Sequence, residues 1–256
     1  MHILLTNDDG VTHPGLAALA QVFQQEHQVT ILAPDHNWSA SGHVKTLHRP
    51  LRIWDTRLAD GTPALTTDGA PSDCVSLAVL GIVKDPIDLV VSGINPLANL
   101  GHDVTYSGTV TAAMEATISG IPAIAISLDV PEGMSGEADY SPTVEVALRL
   151  LNILPLNDIP KGVFLNINVP YMKVEEIKGI RITGQGQSIY REELIRRRDP
   201  RGQEYCWIGG DSPTGHLDPG TDFHALAKGY VSITPLQLDL TAHSHIQTLE
   251  EWSLEI

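Results

Sequence analysis

Short apolar runs alternate with helix-length segments along the first 170 residues, and that alternation predicts an α/β fold with a mainly parallel sheet. Ile3-Leu4-Leu5-Thr6 is apolar at consecutive positions, as a strand buried on both faces must be. Pro14 to about Gln25 reads as a helix, and Val29-Thr30-Ile31-Leu32-Ala33 as a second strand stopped by Pro34. Residues 41–70 are mixed and turn-rich, which predicts a β-hairpin excursion. Pro71 opens a helix to about Ile82, at a position where its missing N–H costs nothing. Asp88–Ser92, Ala123–Ser127 and Gly162–Ile167 predict three further buried strands. Between them lie a small-residue helix from Ser107 to about Ser119 and another from about Thr143 to Leu151.

Beyond Pro170 the pattern changes. Arg181-Ile182-Thr183 and Tyr230-Val231-Ser232-Ile233-Thr234 look like strands, separated by a polar, Gly-rich stretch. The expected division is a catalytic core over 1–170 and a C-terminal extension over 171–256, continuous with the core and used as an arm in oligomer contacts.

Composition narrows the class. With 256 residues, 42% of them hydrophobic, the chain can bury one large core with or without an accessory arm. No apolar run approaches the roughly 18 residues that span a bilayer, so no membrane partner is expected. The chain opens as Met1-His2-Ile3-Leu4-Leu5, without a basic leader or a cleavage site. Cys74 and Cys206 offer no disulfide framework. A cytoplasmic location is the expectation. The net charge of −15, from 31 acidic and 16 basic residues, argues against extended nucleic acid as a partner. A small anionic substrate would need local positive charge, for which a bound cation is the obvious source.

Ligands of parallel sheets bind beyond the carboxyl ends of the strands, and four such places carry polar clusters. They are Thr6-Asn7-Asp8-Asp9-Gly10, Asp35-His36-Asn37-Trp38-Ser39, Ser92-Gly93-Ile94-Asn95, and Tyr106-Ser107-Gly108-Thr109 at a helix start. Adjacent strand residues point to opposite faces. Asp8 and Asp9 can therefore meet one ion only where the chain has left the extended conformation, and Gly10 allows that bend. Asn-Asp-Asp-Gly is equally ordinary turn chemistry, and Ser39 and Asn95 taken alone fit turns or caps. An all-oxygen set of Asp8, Asp9, Ser39 and Asn95 would suit one hard divalent cation, Mg²⁺ or Mn²⁺. Ser107-Gly108-Thr109 offers free N–H groups to a phosphate, or a plain N-cap. His43, close after Ser39, is assigned a structural role, and His243 and His245 read as surface residues. The phosphate-loop, nucleophile-elbow, H-E-x-x-H and G-x-G-x-x-G templates are all absent.

At these residues the sequence resembles the SurE family, the survival-protein-E nucleotidases. The resemblance runs through Ile3–Gly10, Ala33-Pro34-Asp35 with Ser39, Ser92–Asn95, Asn99-Leu100-Gly101, Tyr106–Val110 and Gly120–Ala125. It continues through Asp199-Pro200-Arg201-Gly202, Trp207–Gly210 and Gly229–Leu236. It implies a three-layer Rossmann-like core and an extension used in homodimers or homotetramers. It also implies metal-dependent hydrolysis of nucleoside 5′-monophosphates, with 3′-monophosphates and short polyphosphate as further substrates. The family's metal ligands fall on Asp8, Asp9, Ser39 and Asn95. Asp8 and Asp9 are then the catalytic candidates, and Asn99, Ser107, Gly108 and Thr109 the substrate-binding ones. One departure stands out. After Asn95 the family usually has a basic or small residue followed by Gly, whereas this chain has Pro96-Leu97. Two competing readings follow: a polyphosphatase or broad phosphomonoesterase on the same site, and a nucleotide-binding protein that has lost hydrolysis.

Overall fold

A computed structural model describes residues 1–252 and 254, with the side chains of 211–213 excepted. Residues 253, 255 and 256, the end of the expected extension, lie outside the described residues. The chain runs β1 (His2–Thr6), α1 (Pro14–Phe23), β2 (Gln28–Pro34), β3 (Ile53–Arg57), β4 (Pro63–Thr67), α2 (Pro71–Leu77), β5 (Leu89–Asn95) and α3 (Gly108–Ile118). It continues β6 (Ala123–Asp129), α4 (Ser141–Ile153), β7 (Val163–Pro170), β8 (Ile180–Ile182), β9 (Ser188–Arg198), β10 (Glu204–Gly215), α5 (Asp222–Ala227), β11 (Val231–Gln237) and α6 (His243–Glu250).

Nine strands form one sheet in the order β3-β4-β2-β1-β5-β6-β7-β11-β8. The stretch from β4 through β7 is parallel, as the buried apolar runs predict. β3 pairs antiparallel with β4, so the expected hairpin is present and extends the sheet edge. Helices cover both faces. Leu16, Leu19 and Phe23 of α1 and Val144, Ala147 and Leu150 of α4 pack with Ile3, Leu5 and Val91. On the opposite face, Cys74 and Val75 of α2 and Ala112, Ala113 and Ala116 of α3 pack with Leu4, Val90 and Phe164. Alternate residues of β1 thus feed two different cores, which is why its sequence is apolar without alternation. The result is three layers.

One element differs from the sequence expectation: the helix opened by Pro71 changes at Leu77 into a π-helical turn over Ala78–Ile82. Beyond residue 170, β11 pairs antiparallel with β7 and β8 pairs with β11 in the same sheet. Only β9 and β10 form a separate two-stranded ribbon.

The strand order positions the site. From β1 the chain crosses through α1 to β2 on one side, and from β5 through α3 to β6 on the other. The carboxyl ends of β1 and β5 are therefore a topological switch point, where no crossover closes the crevice. Phe164, fully buried beneath the second face, tests the core beneath it. Phe164→Ala should cost about 3–5 kcal/mol of unfolding free energy, read as a lower urea midpoint.

Candidate active site

The rim is assembled from the register of β1 and β5. Thr6, the last residue of β1, pairs with Ser92, so Asp9 follows three residues past the end of β1 and Asn95 three residues on, at the end of the neighbouring parallel β5. Asn7 then bends the chain: its Nδ2 donates to Gly10 O at 2.9 Å and its Oδ1 accepts Gly10 N at 3.2 Å. Gly10 has φ +103°, which favours a residue without Cβ, and a Cβ there would lie 3.3 Å from the His36 backbone. The loop after β2 folds back over this bend, with Val11 N donating to Pro34 O at 2.8 Å and Trp38 N to Asp8 O at 2.7 Å. Asn37 donates from Nδ2 to Asp9 Oδ1 at 3.3 Å and accepts Ser39 N on Oδ1 at 2.7 Å. One side chain thus ties Asp9 to the backbone of Ser39. The Asn95 amide donates from Nδ2 to Leu97 O at 2.5 Å, which turns Oδ1 away from that turn.

The two carboxylates have different environments. Asp8 is buried and meets the first turn of α3, where Thr109 Oγ1 donates to its Oδ1. Burial raises the Asp8 pKa, and the Thr109 hydroxyl with the backbone N–H groups of Thr109 and Gly108 opposes that rise. The approach is close enough that a Cβ on Gly108 would lie 2.6 Å from Asp8 Cβ. Asp9 receives only the longer Asn37 bond on Oδ1 among the described residues, and burial followed by the neighbouring Asp8 charge pushes its pKa up to about 7. Its Oδ2 is buried with no hydrogen-bond partner among the described residues. His13 Nδ1 lies 3.7 Å from that oxygen, but it accepts Gly15 N at 3.3 Å, and burial lowers the His13 pKa. It supplies no countercharge. Tyr140 stacks edge-on against His13 at 5.8 Å, and its pKa rises to about 12 through burial and then the Asp9 charge.

Two buried carboxylates, one with an orphaned oxygen and neither paired with Lys or Arg, form a site that a cation would complete. No cluster of three or more His, Cys, Asp or Glu side chains occurs among the described residues. Hydroxyl and amide oxygens, as on Ser39 and Asn95, would have to supply the rest, and such a set fits a hard divalent cation. A cleft of about 550 Å³ between α1 and α4 shares Thr12 and Tyr140 with this neighbourhood but contains none of the four candidate ligands.

The substrate candidates fare differently. Thr109 is fully buried, and its hydroxyl donates to Asp8. Ser107 Oγ accepts Val110 N at 3.1 Å as the N-cap of α3. Asn99 is knotted into the ends of β6 and β7. Its N donates to Asn168 Oδ1 at 2.8 Å, its Nδ2 to Ser127 Oγ at 2.7 Å, and its O accepts Asn166 Nδ2 at 2.8 Å. The contacts of Thr109, Asn37, His13 and Tyr140 had no local signal in the sequence, because each partner is distant along the chain or carries no motif.

The loop bearing Ser39 is strapped to α2 and α3. Glu115, buried in α3, accepts His43 Nε2 at 2.9 Å, Lys45 Nζ at 2.9 Å and Ser76 Oγ at 2.6 Å. Thr46 N and Oγ1 donate to Asp73 at 2.9 and 2.7 Å. The structural role expected for His43 is what its bond to Glu115 provides, and His243 and His245 are exposed.

A doubly covered parallel sheet with two adjacent aspartates at its switch point defines a three-layer α/β protein. The family described as Survival protein SurE matches residues 3–192. The chain is 46% identical over 255 residues to 5′-nucleotidase SurE of Chloroflexus aggregans, with 100% of both chains covered. It is 50% identical over 249 residues to 5′-nucleotidase SurE of Herpetosiphon aurantiacus, covering 97% of each. The crystal structure of the SurE protein from Aquifex aeolicus superposes with a TM-score of 0.81 at 38% identity, covering 98% of this chain and 99% of that one. The chain belongs to the SurE family.

The Glu115 strap has a pH signature. His43 first, then Ser76 and Lys45, hold the Glu115 pKa at about 2 against an ordinary 4.5, with burial opposing. A folded-state pKa below the unfolded one gives stability that is complete above the unfolded value and is lost as pH falls toward 2. Glu115→Gln should lower stability at neutral pH by about 1–3 kcal/mol and flatten the acid limb of the melting temperature between those two values.

Proposed function

We propose that this chain is a divalent-cation-dependent phosphomonoesterase that hydrolyses nucleoside 5′-monophosphates, and 3′-monophosphates as well, to nucleoside and phosphate. The observation that carries this reading is the Asp8–Asp9 pair at the switch point, with Asp9 Oδ2 satisfied by no protein group. Full-length relatives named 5′-nucleotidase support the substrate class.

One cation, Mg²⁺ or Mn²⁺, is the cofactor of this reading, with Asp8, Asp9, Ser39 and Asn95 as the residues that would hold it. When bound, it supplies positive charge against the phosphoryl oxygens and acidifies a water. Asp8, fixed by Thr109 and the first turn of α3, is the rigid anion of the site. One of the two aspartates also accepts the proton of the attacking water. Asn95 presents Oδ1 because Leu97 O holds its Nδ2. Asn99 and Ser107 lie on the substrate side, while Gly108 and Thr109 act through Asp8. Phosphoryl transfer asks a protein mainly for positioning and charge stabilisation, which so small a constellation can provide.

The extension over 171–256 serves as the arm of a homodimer or homotetramer. The support is the β9–β10 ribbon, which stands outside the main sheet and exposes Leu194, Trp207 and Ile208 at 59%, 65% and 81%. A cytoplasmic location belongs to the same reading. No helix among the described residues is long and apolar enough to cross a membrane.

The test is phosphate release from a panel of nucleoside monophosphates and linear polyphosphate with Mg²⁺, Mn²⁺ or chelator. Chelator should abolish release, and Asp8→Asn should reduce it more than about a hundredfold with the circular-dichroism spectrum unchanged. Near-normal turnover in Asp8→Asn would remove this mechanism. Faster release from polyphosphate would change the substrate class, and tight nucleotide binding without release would make the chain a binding protein.

A further inference from the structure

We propose that Asp222 is a positioning residue for the substrate side of the rim, clamping the Gly101–Thr105 turn, and with it Asn99 and the start of α3, to the root of the β9–β10 ribbon. The proposal rests on the phosphomonoesterase reading above. Asp222 is fully buried, and its carboxylate accepts three backbone N–H groups. Oδ2 accepts Gly101 N at 2.8 Å, and Oδ1 accepts Gly186 N and Phe223 N, each at 2.8 Å. Charge-assisted bonds of this kind are stronger than neutral ones and fix their donors in place.

The packing around the carboxylate is as close as the bonds. A Cβ on Gly101 would lie 2.7 Å from Gly186 O and 2.8 Å from Phe223 Cε2. One on Gly186 would lie 2.6 Å from Phe223 Cδ2, and one on Gly215 would enter the same ring. The turn and both legs of the ribbon therefore meet on Phe223 at distances that leave room only for hydrogen. Three more bonds tie the same pieces: Gln185 Nε2 to Gly101 O at 2.9 Å, His102 N to Ser188 Oγ at 3.2 Å, and Tyr190 OH to Asp103 Oδ1 at 2.6 Å. The turn passes directly into the site. Its Asp103 O accepts Tyr106 N at 3.0 Å and Ser107 N at 3.2 Å, and Asn99 lies two residues before its first residue. Of the four candidate metal ligands, Asp9, Ser39 and Asn95 lie on other segments, and Asp8 is bonded at Thr109, inside α3 and beyond the turn that Asp222 holds.

Asp222→Asn separates these connections. Its single carbonyl can keep the bonds to Gly186 and Phe223, but its NH₂ then faces the Gly101 N–H, donor against donor. In the full chain, with a nucleoside monophosphate and Mn²⁺, KM should rise about five- to tenfold, the scale of one lost buried hydrogen bond. The Mn²⁺ concentration for half-activation should stay unchanged, and amide exchange at 101–107 should accelerate. Unchanged exchange would overturn the clamp. Faster exchange with unchanged KM would overturn the positioning role, and a parallel shift in Mn²⁺ activation would overturn its restriction to the substrate side. If the unsubstituted protein releases no phosphate, the functional reading fails by itself, and nucleotide affinity from titration replaces KM. If Asp222→Asn does not fold, the Gln185→Ala, Tyr190→Phe double variant cuts the same turn from the ribbon at less buried positions. It should raise KM in the same direction, and an unchanged KM there overturns the proposal.

Discussion

A carboxylate taken out of water needs donors, and Asp8 finds them in the first turn of a helix that begins about a hundred residues later. The contact between Asp8 and Gly108–Thr109 is the constraint on which the rim depends. It requires β1 to end, α3 to begin and the sheet register to place both within touching distance, and Gly108 leaves the space for it. The helix N-terminus and the Thr109 hydroxyl offset the burial of Asp8. Asp9, one residue on, receives no such help, and its charge is opposed by burial and by Asp8 itself. Two adjacent residues of identical chemistry thereby acquire different roles. One is bonded by the first turn of α3, and the other has a buried oxygen with no hydrogen-bond partner among the described residues.

If α3 sets the chemistry of Asp8, whatever holds α3 holds the site. The helix is anchored to the sheet by Ala112, Ala113 and Ala116, whose small size permits close approach. Two of its buried polar positions bind a loop. Thr111 donates to Gly42 O at 3.0 Å, and Glu115 gathers His43 and Lys45. The segment that carries Ser39 is thus fastened to the same helix that fastens Asp8. At its N-terminal end the helix is entered through the turn that Asp222 grips. A helix with polar residues inside looks poorly designed as a packing element, and the contradiction disappears once it is seen as the post to which the rim loops are tied.

This arrangement explains what could be read from the sequence. The strands were legible because each is a continuous apolar run, and the carboxyl ends of parallel strands collect function by topology alone. The turn at Asn7–Gly10 was legible as a bend, although only its place beside β5 distinguishes it from a surface turn. The ribbon of β9 and β10 was not legible as strands. Tyr190-Arg191-Glu192-Glu193-Leu194-Ile195-Arg196-Arg197-Arg198 packs against no layer, so nothing imposes the alternation by which a half-buried strand is recognised. Thr109 could be placed at the rim, but its hydroxyl bonds Asp8 at a sequence separation of 101, and Asp222 bonds Gly101 at a separation of 121. Side-chain bonds of that span leave no periodic trace.

The departure at Pro96-Leu97 can now be weighed. Proline gives up a backbone N–H and stiffens the chain, which would harm a loop that needs donors. Here the loop works through its carbonyls: Val130 N donates to Pro96 O at 3.3 Å, and Asn95 Nδ2 donates to Leu97 O at 2.5 Å. The stiffness therefore falls on the group that orients the Asn95 amide, and the lost N–H has no counterpart among those two bonds. The Leu97 side chain is 61% exposed. Relative to a basic or small residue followed by glycine, the change adds apolar surface and no charge beside Asn95, whose Nδ2 is held by the Leu97 carbonyl.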